Sequence, residues 1–166
     1  MEVVLVAHDV RSTHNIGALA RSADCFGVST IYCTGYTPYI LAEHDERPPH
    51  IRKKIIADIH KTALGAENTV KIIQHQNLDD LINELRRADF TIAALEQSET
   101  SVPLKNYKTV SKLALILGTE TVGLPNEILQ LCDEILEIPM LGKKESLNVS
   151  VAGAVALYEL KRSELY

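Results

Sequence analysis

The side chains best suited to chemistry lie in three short segments of the 166-residue chain. The first runs from His14 to Arg21 (HNIGALAR), the second from Gly118 to Pro125 (GTETVGLP), and the third from Ile138 to Ser150 (IPMLGKKESLNVS). Each segment combines polar side chains with glycine or other small residues. Glycine lets a backbone approach a ligand closely, and a few polar groups orient it, so these segments are candidates for one ligand site.

Arg21 is a candidate for binding a phosphate, because its guanidinium could contact two phosphate oxygens at once. Gly17 lies four residues earlier, so the two residues share one side of a predicted helix, beside its apolar stripe. A surface or ion-paired arginine is the plainer alternative. Asn15 is equally well explained as the cap of that helix.

The second segment contains a tight loop bracketed by Gly118 and Gly123. Within it, the Glu120 carboxylate could accept hydrogen bonds from a ribose, an amine or an amide. The alternative is a plain turn in which Glu120 caps the helix that begins near Pro125.

Ser146, Asn148 and Ser150 cluster where the last helix is predicted to begin. Backbone N–H groups at a helix start favour anionic or oxygen-rich ligand groups. Ser146 could also serve only as the cap of that helix.

Several other kinds of site are excluded because the sequence lacks their motifs. No glycine-rich dinucleotide fingerprint follows a predicted strand, and neither a phosphate-binding P-loop nor a hydrolase nucleophile elbow is present. The six histidines and three cysteines do not pair at zinc spacing. No metal is therefore expected.

Apolar stretches divided by glycine and proline predict the elements that position the three segments. Strands are predicted at 3–7, 29–33, 69–74, 90–95, 113–117 and 134–138, and helices at 15–26, 52–64, 78–88, 125–131 and 147–161. Continuous apolar strands that alternate with helices predict an α/β fold, with a mostly parallel sheet and helices on both faces. Each segment follows a strand, so all three are expected at the carboxyl edge, where parallel sheets bind ligands.

The last predicted helix is apolar around almost its whole circumference, which indicates burial on more than one side. It could be a central core helix. A helix at the chain end is usually peripheral, so we favour a helix that packs on its own sheet and on a second subunit.

The composition, 46% hydrophobic and 23% charged, is that of an ordinary globular protein. Neither a signal peptide nor a membrane span is predicted, and an odd, sparse set of cysteines favours buried free thiols in a reducing cytoplasm. The formal net charge of -5 argues against tight, nonspecific binding of nucleic acid, although it permits a local basic groove.

Together, the three segments resemble the motifs of the SPOUT superfamily, specifically the SpoU/TrmH-type RNA 2′-O-ribose methyltransferases. The resemblance covers nearly the whole chain. The residues that carry it are Asn15, Gly17 and Arg21; Gly118, Glu120, Gly123 and Leu124; and Ile138-Pro139-Met140 with Ser146-Leu147-Asn148-Val149-Ser150 and Ala152.

This resemblance implies a C-terminal deep trefoil knot whose loops bind S-adenosylmethionine, in a single domain over residues 1–166. The cofactor-binding residues that it implies are Leu95, Glu96, Gly118, Thr119, Glu120, Gly123, Ile138, Met140, Ser146 and Leu147. It also implies a homodimer formed through the first and last helices, and RNA rather than DNA as the partner.

The implied reaction is attack of a ribose 2′-oxygen on the methyl group of the cofactor, with Arg21, Asn15, Glu120, Ser146 and Asn148 as the catalytic set. A guanidinium almost never loses its proton in proteins, so we expect Arg21 to hold the adjacent phosphate and stabilise negative charge. We expect no extra RNA-binding domain, which favours tRNA slightly over rRNA. The alternatives are a catalytically idle RNA-binding or assembly paralogue and a nucleotide-binding protein without transferase activity.

Overall fold

A computed structural model of the chain describes residues 1–119 and 123–165. Within these residues, seven strands form one parallel sheet in the order β3-β2-β1-β6-β4-β7-β5. The strands are β1 (Glu2–His8), β2 (Thr30–Thr34), β3 (Lys71–Gln74), β4 (Thr91–Leu95), β5 (Val102–Pro103), β6 (Lys112–Leu117) and β7 (Glu134–Glu137). The predicted parallel sheet is confirmed.

Helices cover both faces of the sheet, as predicted. They are α1 (Thr13–Cys25), α2 (Pro49–Ala63), α3 (Leu78–Arg87), α4 (Asn126–Leu129) and α5 (Val149–Leu165). Alternate residues of a strand point to opposite faces. Leu5 and Leu115 accordingly pack with side chains of α1, α2 and α5, whereas Val6 and Ile116 pack with those of α3 and α4. In the part of the chain described, no helix has the length and apolar character needed to cross a bilayer.

Two glycines let α1 lie very close to its neighbours. A Cβ atom at Gly17 would collide with the Ile59 carbonyl oxygen and the Thr62 hydroxyl of α2, and one at Gly153 would strike the Leu19 side chain. Gly17 is buried. Its role is therefore to bring α1 and α2 together, and it fixes where the rest of the first motif lies.

The two motif-bearing helices begin at different residues from those predicted. Ser12 caps α1, since its hydroxyl accepts a hydrogen bond from the Asn15 N–H at 3.3 Å; the prediction that Asn15 is the cap was wrong. The carboxamide of Asn148 accepts hydrogen bonds from the Ser150 N–H at 2.9 Å and the Ser150 hydroxyl at 2.6 Å. Asn148, rather than Ser146, therefore caps α5.

The edge strand β5 was not predicted. It has only two residues, too few for a periodic pattern, and Pro103 suits an edge position because it cannot donate a ladder hydrogen bond. Its importance lies in the strand order: β7 lies between β4 and β5, although both precede it in the chain.

The three cysteines differ in exposure: the prediction that all are buried holds for Cys33, is only partly met by Cys132, and was wrong for Cys25. Cys25 is exposed, whereas burial raises the pKa of the Cys33 thiol far above its usual range and that of Cys132 to about 11. The thiolate is the reactive form. We therefore expect Ellman's reagent at pH 8 to label one thiol quickly in the native protein, and Cys25→Ser to remove that fast phase. A fast phase that persists in Cys25→Ser would contradict this.

Candidate active site

A pocket of about 270 Å³ lies at the carboxyl ends of β4, β6 and β7. This volume is close to the lower end of the range for small-molecule sites. We call it the edge pocket. Its lining residues are Leu95, Glu96, Gln97, Leu117, Gly118, Thr119, Gly123, Ile138, Met140, Glu145, Ser146, Leu147, Val149 and Ala152.

All the predicted cofactor residues that the structure describes line the edge pocket; Glu120 lies outside the described residues. Sequence reasoning did not propose Leu117, Gln97 or Glu145 for this site, and it named Val149 and Ala152 only as part of the third motif. The first three each lie directly next to a predicted cofactor residue, so their position along the chain could have identified them.

The Glu96 carboxylate holds the loop after β6 in place. Its two oxygens accept hydrogen bonds from the N–H groups of Gln97 and Leu124, each at 2.9 Å. Gly123 has a positive φ of 70°, and a Cβ atom there would collide with the same carboxylate. Glycine is therefore required at this position, both for backbone conformation and for space.

A second hydrogen bond joins the loop after β4 to the third motif. The Gln97 side-chain amide donates to the Glu145 carbonyl oxygen at 2.8 Å. One wall of the edge pocket is thereby tied to the segment that contains Ser146 and Leu147. Ser146 itself is exposed to solvent where it lines the pocket.

The first and third motifs meet through their asparagines. The Asn148 side-chain amide donates to the Asn15 carboxamide oxygen at 3.2 Å. Neither residue lines the edge pocket. The pair joins the start of α1 to the start of α5 beside the pocket.

Arg21 does not line the edge pocket. It is exposed and lines a separate groove between α1, the end of α2, and α5, which we call the Arg21 groove. On α5, Val149 and Ala152 face the edge pocket, whereas Val151 and Val155 face the Arg21 groove. The first turns of α5 therefore lie between Arg21 and the edge pocket of its own chain.

The described residues contain no cluster of three or more histidine, cysteine, aspartate or glutamate side chains that could hold a metal ion. The features available for ligand binding at the carboxyl edge are thus backbone groups, apolar side chains, and a few polar groups.

The family model described as the SpoU rRNA methylase family matches residues 2–158 of the chain. The chain belongs to the SpoU rRNA methylase family. The match spans all three motifs, so the resemblance inferred from them is confirmed.

Two curated relatives of the chain are named for different kinds of RNA. A 23S rRNA (guanosine-2′-O-)-methyltransferase, RlmB, from Xylella fastidiosa (strain 9a5c) is 35% identical over 96% of this chain and 58% of its own length. The tRNA (guanosine(18)-2′-O)-methyltransferase of Escherichia coli (strain K12) is 28% identical over 97% of this chain and 63% of its own. The chain thus spans about three-fifths of the length of these curated relatives.

A solved structure shares the fold of this SpoU family member. The AdoMet-bound rRNA methyltransferase from Sinorhizobium meliloti superposes with a TM-score of 0.81 at 26% identity, and the match covers 99% of this chain and 57% of that one. The parallel sheet with helices on both faces is therefore the fold of a SpoU-family methyltransferase.

Proposed function

We propose that this protein is an S-adenosylmethionine-dependent RNA 2′-O-ribose methyltransferase that acts on tRNA or rRNA in the cytoplasm. The observation that carries the proposal is the edge pocket. Three separate loops line it, and their lining residues include those that the family resemblance implies for binding the methyl donor. The names of the relatives support the reaction type and both classes of RNA.

The lining of the edge pocket suits the chemistry of S-adenosylmethionine. Leu95, Leu117 and Ile138 offer apolar surface, and glycines at 118 and 123 expose backbone polar groups. When bound, the cofactor would supply an electrophilic methyl group. Gly118, Thr119, Met140, Ser146 and Leu147 would hold it, mainly through the backbone, and Glu96 would fix the loop around it.

The chain's own contribution to the reaction is then position and electrostatics. The Arg21 guanidinium would hold the phosphate next to the target ribose and stabilise the negative charge that develops on the attacking oxygen. The proton of the hydroxyl would leave through that phosphate or water. The Asn15–Asn148 hydrogen bond would keep the two motifs in register, and Ser146 would contact substrate at the mouth of the pocket.

We further propose that two copies pair through α1 and α5. Support comes from large hydrophobic side chains that are exposed to solvent in a single chain. Val151, Val155 and Tyr158 of α5 are 47%, 40% and 44% exposed, and Leu64 at the end of α2 is 62% exposed. Val151, Val155 and Leu64 line the Arg21 groove. Pairing would bury this surface, and we propose that it delivers Arg21 to the edge pocket of the other copy.

Val155→Glu tests the pairing. Burying an unpaired carboxylate is costly, so we expect the dimer dissociation constant to rise at least about tenfold. Sedimentation equilibrium measures this constant. Ile56→Glu is a matched control, since Ile56 is a similarly exposed apolar residue, 41%, on α2 away from the Arg21 groove. A monomeric wild-type protein, or an equally stable Val155→Glu dimer, would contradict the proposed interface.

A C-terminal trefoil knot in a single SPOUT domain, residues 1–166, completes the proposal. It is supported by the position of β7 between β4 and β5. It is also supported by the return of the next segment to the edge pocket, where Ser146 and Leu147 lie with Gly118.

The function is tested by methyl transfer from labelled S-adenosylmethionine to purified tRNA and rRNA, followed by mass spectrometry of the 2′-O-methyl nucleosides. We expect one ribose position to become labelled, and the same modification to be missing from RNA of cells that lack the gene. The idle-paralogue alternative, which the comparisons do not favour, predicts RNA binding without transfer. Calorimetry that detects no binding of S-adenosylmethionine would overturn the enzyme proposal.

A further inference from the structure

We propose that Tyr36 and Arg11 form a stacking platform for an unpaired nucleobase of the RNA substrate. This subsite would lie beside the edge pocket and take a base close to the methylated ribose. The proposal rests on the proposed function and extends it to how the substrate is recognised.

The platform lies on the same edge of the sheet as the edge pocket. Strand β1 lies between β2 and β6: Ala7 is in register with Leu117, which lines the pocket, and His8 is in register with Thr34, which ends β2. Tyr36 follows Thr34 by two residues. Two strand spacings of about 4.8 Å place the end of β2 about 10 Å from the end of β6. Strand ends at this spacing suit a base close to the nucleotide whose ribose reaches the mouth of the pocket.

The loop that carries Tyr36 is fixed by hydrogen bonds to the loop after β1. The Tyr36 N–H donates to the Asp9 carboxylate at 2.9 Å. The buried Thr37 hydroxyl donates to the Ala7 carbonyl at 2.9 Å and accepts from the Val10 N–H at 3.0 Å. These bonds hold the Tyr36 backbone in place before any ligand arrives, which reduces the entropy lost on binding.

The backbone of both loops is adapted to this arrangement. Asp9 and Gly35 have positive φ values of 57° and 62°. A Cβ atom at Gly35 would collide with the Asp9 carboxylate, so only glycine allows the two loops to approach this closely.

The ring itself contributes little to the core. Tyr36 is 75% exposed, and the Arg11 guanidinium carbon lies 5.5 Å from the centre of its ring. Aromatic rings and guanidinium planes are the two groups on which proteins stack unpaired RNA bases. The nearby Asp9 carboxylate is already engaged, by the Tyr36 N–H and by His8 at 3.4 Å.

A second arginine–tyrosine pair, Arg47 and Tyr39, makes the same kind of contact but serves the structure of the protein. Arg47 stacks on Tyr39 at 3.6 Å, but its guanidinium also donates twice to Asp45, and both members of the pair are half-buried. The Arg47–Tyr39 pair is therefore already engaged by contacts within the protein. Tyr36 and Arg11 instead present exposed surface at the carboxyl edge.

The occupant that fits is a base in a loop, bulge or unpaired end, because a base inside a duplex has no free face to stack. Such a base would contribute to RNA affinity without touching the reacting atoms. The platform should therefore affect KM for RNA much more than kcat.

The test compares Tyr36→Ala, Tyr36→Phe and Arg11→Gln with a control, Arg87→Gln. Arg87 is an exposed arginine in the last turn of α3, and it lines neither the edge pocket nor the Arg21 groove. We expect Tyr36→Ala to raise KM for RNA about tenfold or more, whereas Tyr36→Phe stays within about twofold, because stacking needs the ring and not the hydroxyl. Arg11→Gln should give a smaller rise and a weaker dependence on salt.

Direct evidence comes from substrate RNA in which 2-aminopurine replaces each base flanking the methylated nucleotide in turn. We expect quenching at one position with wild-type protein, the same quenching with Tyr36→Phe and Arg87→Gln, and none with Tyr36→Ala. Calorimetry should give unchanged affinity for S-adenosylmethionine in every variant.

The outcomes separate the platform from the proposed function. If the wild-type enzyme methylates RNA and Tyr36→Ala matches it in KM and quenching, the platform is wrong and the function stands. If Tyr36→Ala also weakens binding of S-adenosylmethionine, the residue has a structural role and the platform is likewise overturned. A wild-type protein that binds no S-adenosylmethionine and transfers no methyl group refutes the proposed function instead.

Discussion

Arg21→Ala is expected to lower the rate of methyl transfer about 10²- to 10³-fold, the usual cost of removing a group that stabilises developing charge. Binding of S-adenosylmethionine should not change, because Arg21 does not line the edge pocket of its own chain. Single-turnover transfer assays and calorimetry measure the two quantities. A parallel loss of both would show that Arg21 supports the fold or the cofactor site instead.

Arg21→Lys refines the same expectation. Lysine keeps the charge but lacks the planar fork that contacts two phosphate oxygens, so we expect it to recover only a small part of the lost rate. Nearly full turnover in Arg21→Lys would mean that the bidentate clamp is wrong, although a simple charge effect would remain.

The location of Arg21 also predicts the result of mixing two inactive variants. Ala152→Phe would fill the edge pocket from α5 and leave the Arg21 groove intact. In a mixed dimer with Arg21→Ala, one pocket is open and can receive the arginine of the Ala152→Phe chain. Random pairing should then restore about one quarter of wild-type activity.

The control for this experiment is each variant alone, which should stay inactive. Native mass spectrometry verifies that mixed dimers form. Mixed dimers without activity would contradict delivery of Arg21 across the interface and assign it to its own chain.

Glu96→Ala is expected to weaken binding of S-adenosylmethionine about 10- to 100-fold. The carboxylate accepts hydrogen bonds from two backbone N–H groups, and bonds to a charged group contribute about 1.5–3 kcal/mol. Without them the loop after β6 loses its fixed position beside Gly123. Glu96→Gln should have an intermediate effect, because one amide oxygen replaces two acceptors.

Calorimetry with S-adenosylmethionine measures this effect, and Glu99→Gln is the matched control. Glu99 is an exposed glutamate three residues further along, and it does not line the edge pocket. Equal affinities for Glu96→Ala and wild type would show that the loop keeps its position without the carboxylate.

The sheet and most of the candidate site could be predicted from local sequence patterns. Continuous apolar strands such as the one at 113–117 indicate a parallel sheet, and the carboxyl-edge rule then brings together the loops that follow its strands. Gly118, Ile138 and Ser146 lie in one pocket for this reason. The rule depends only on where strands end, which the sequence indicates well.

What could not be predicted depends on contacts between distant residues. Helical spacing indicates that Gly17 and Arg21 share a side of α1, but not that α2 covers Gly17 and leaves Arg21 exposed in a different groove. Similarly, no pattern near Glu96 indicates that its carboxylate binds the N–H of Leu124. Such contacts are set by tertiary packing.

The strand order has a consequence for the synthesis of this protein. Leu5 in β1 pairs with Leu115 in β6. Strand β1 is synthesised first, but it cannot pair with β6 until most of the chain has been made. The last strand, β7, must then enter between two strands made earlier. Such long-range closure slows folding and leaves apolar strand edges unpaired meanwhile. A nascent chain leaving the ribosome would therefore need protection from aggregation until its C-terminal segment is in place.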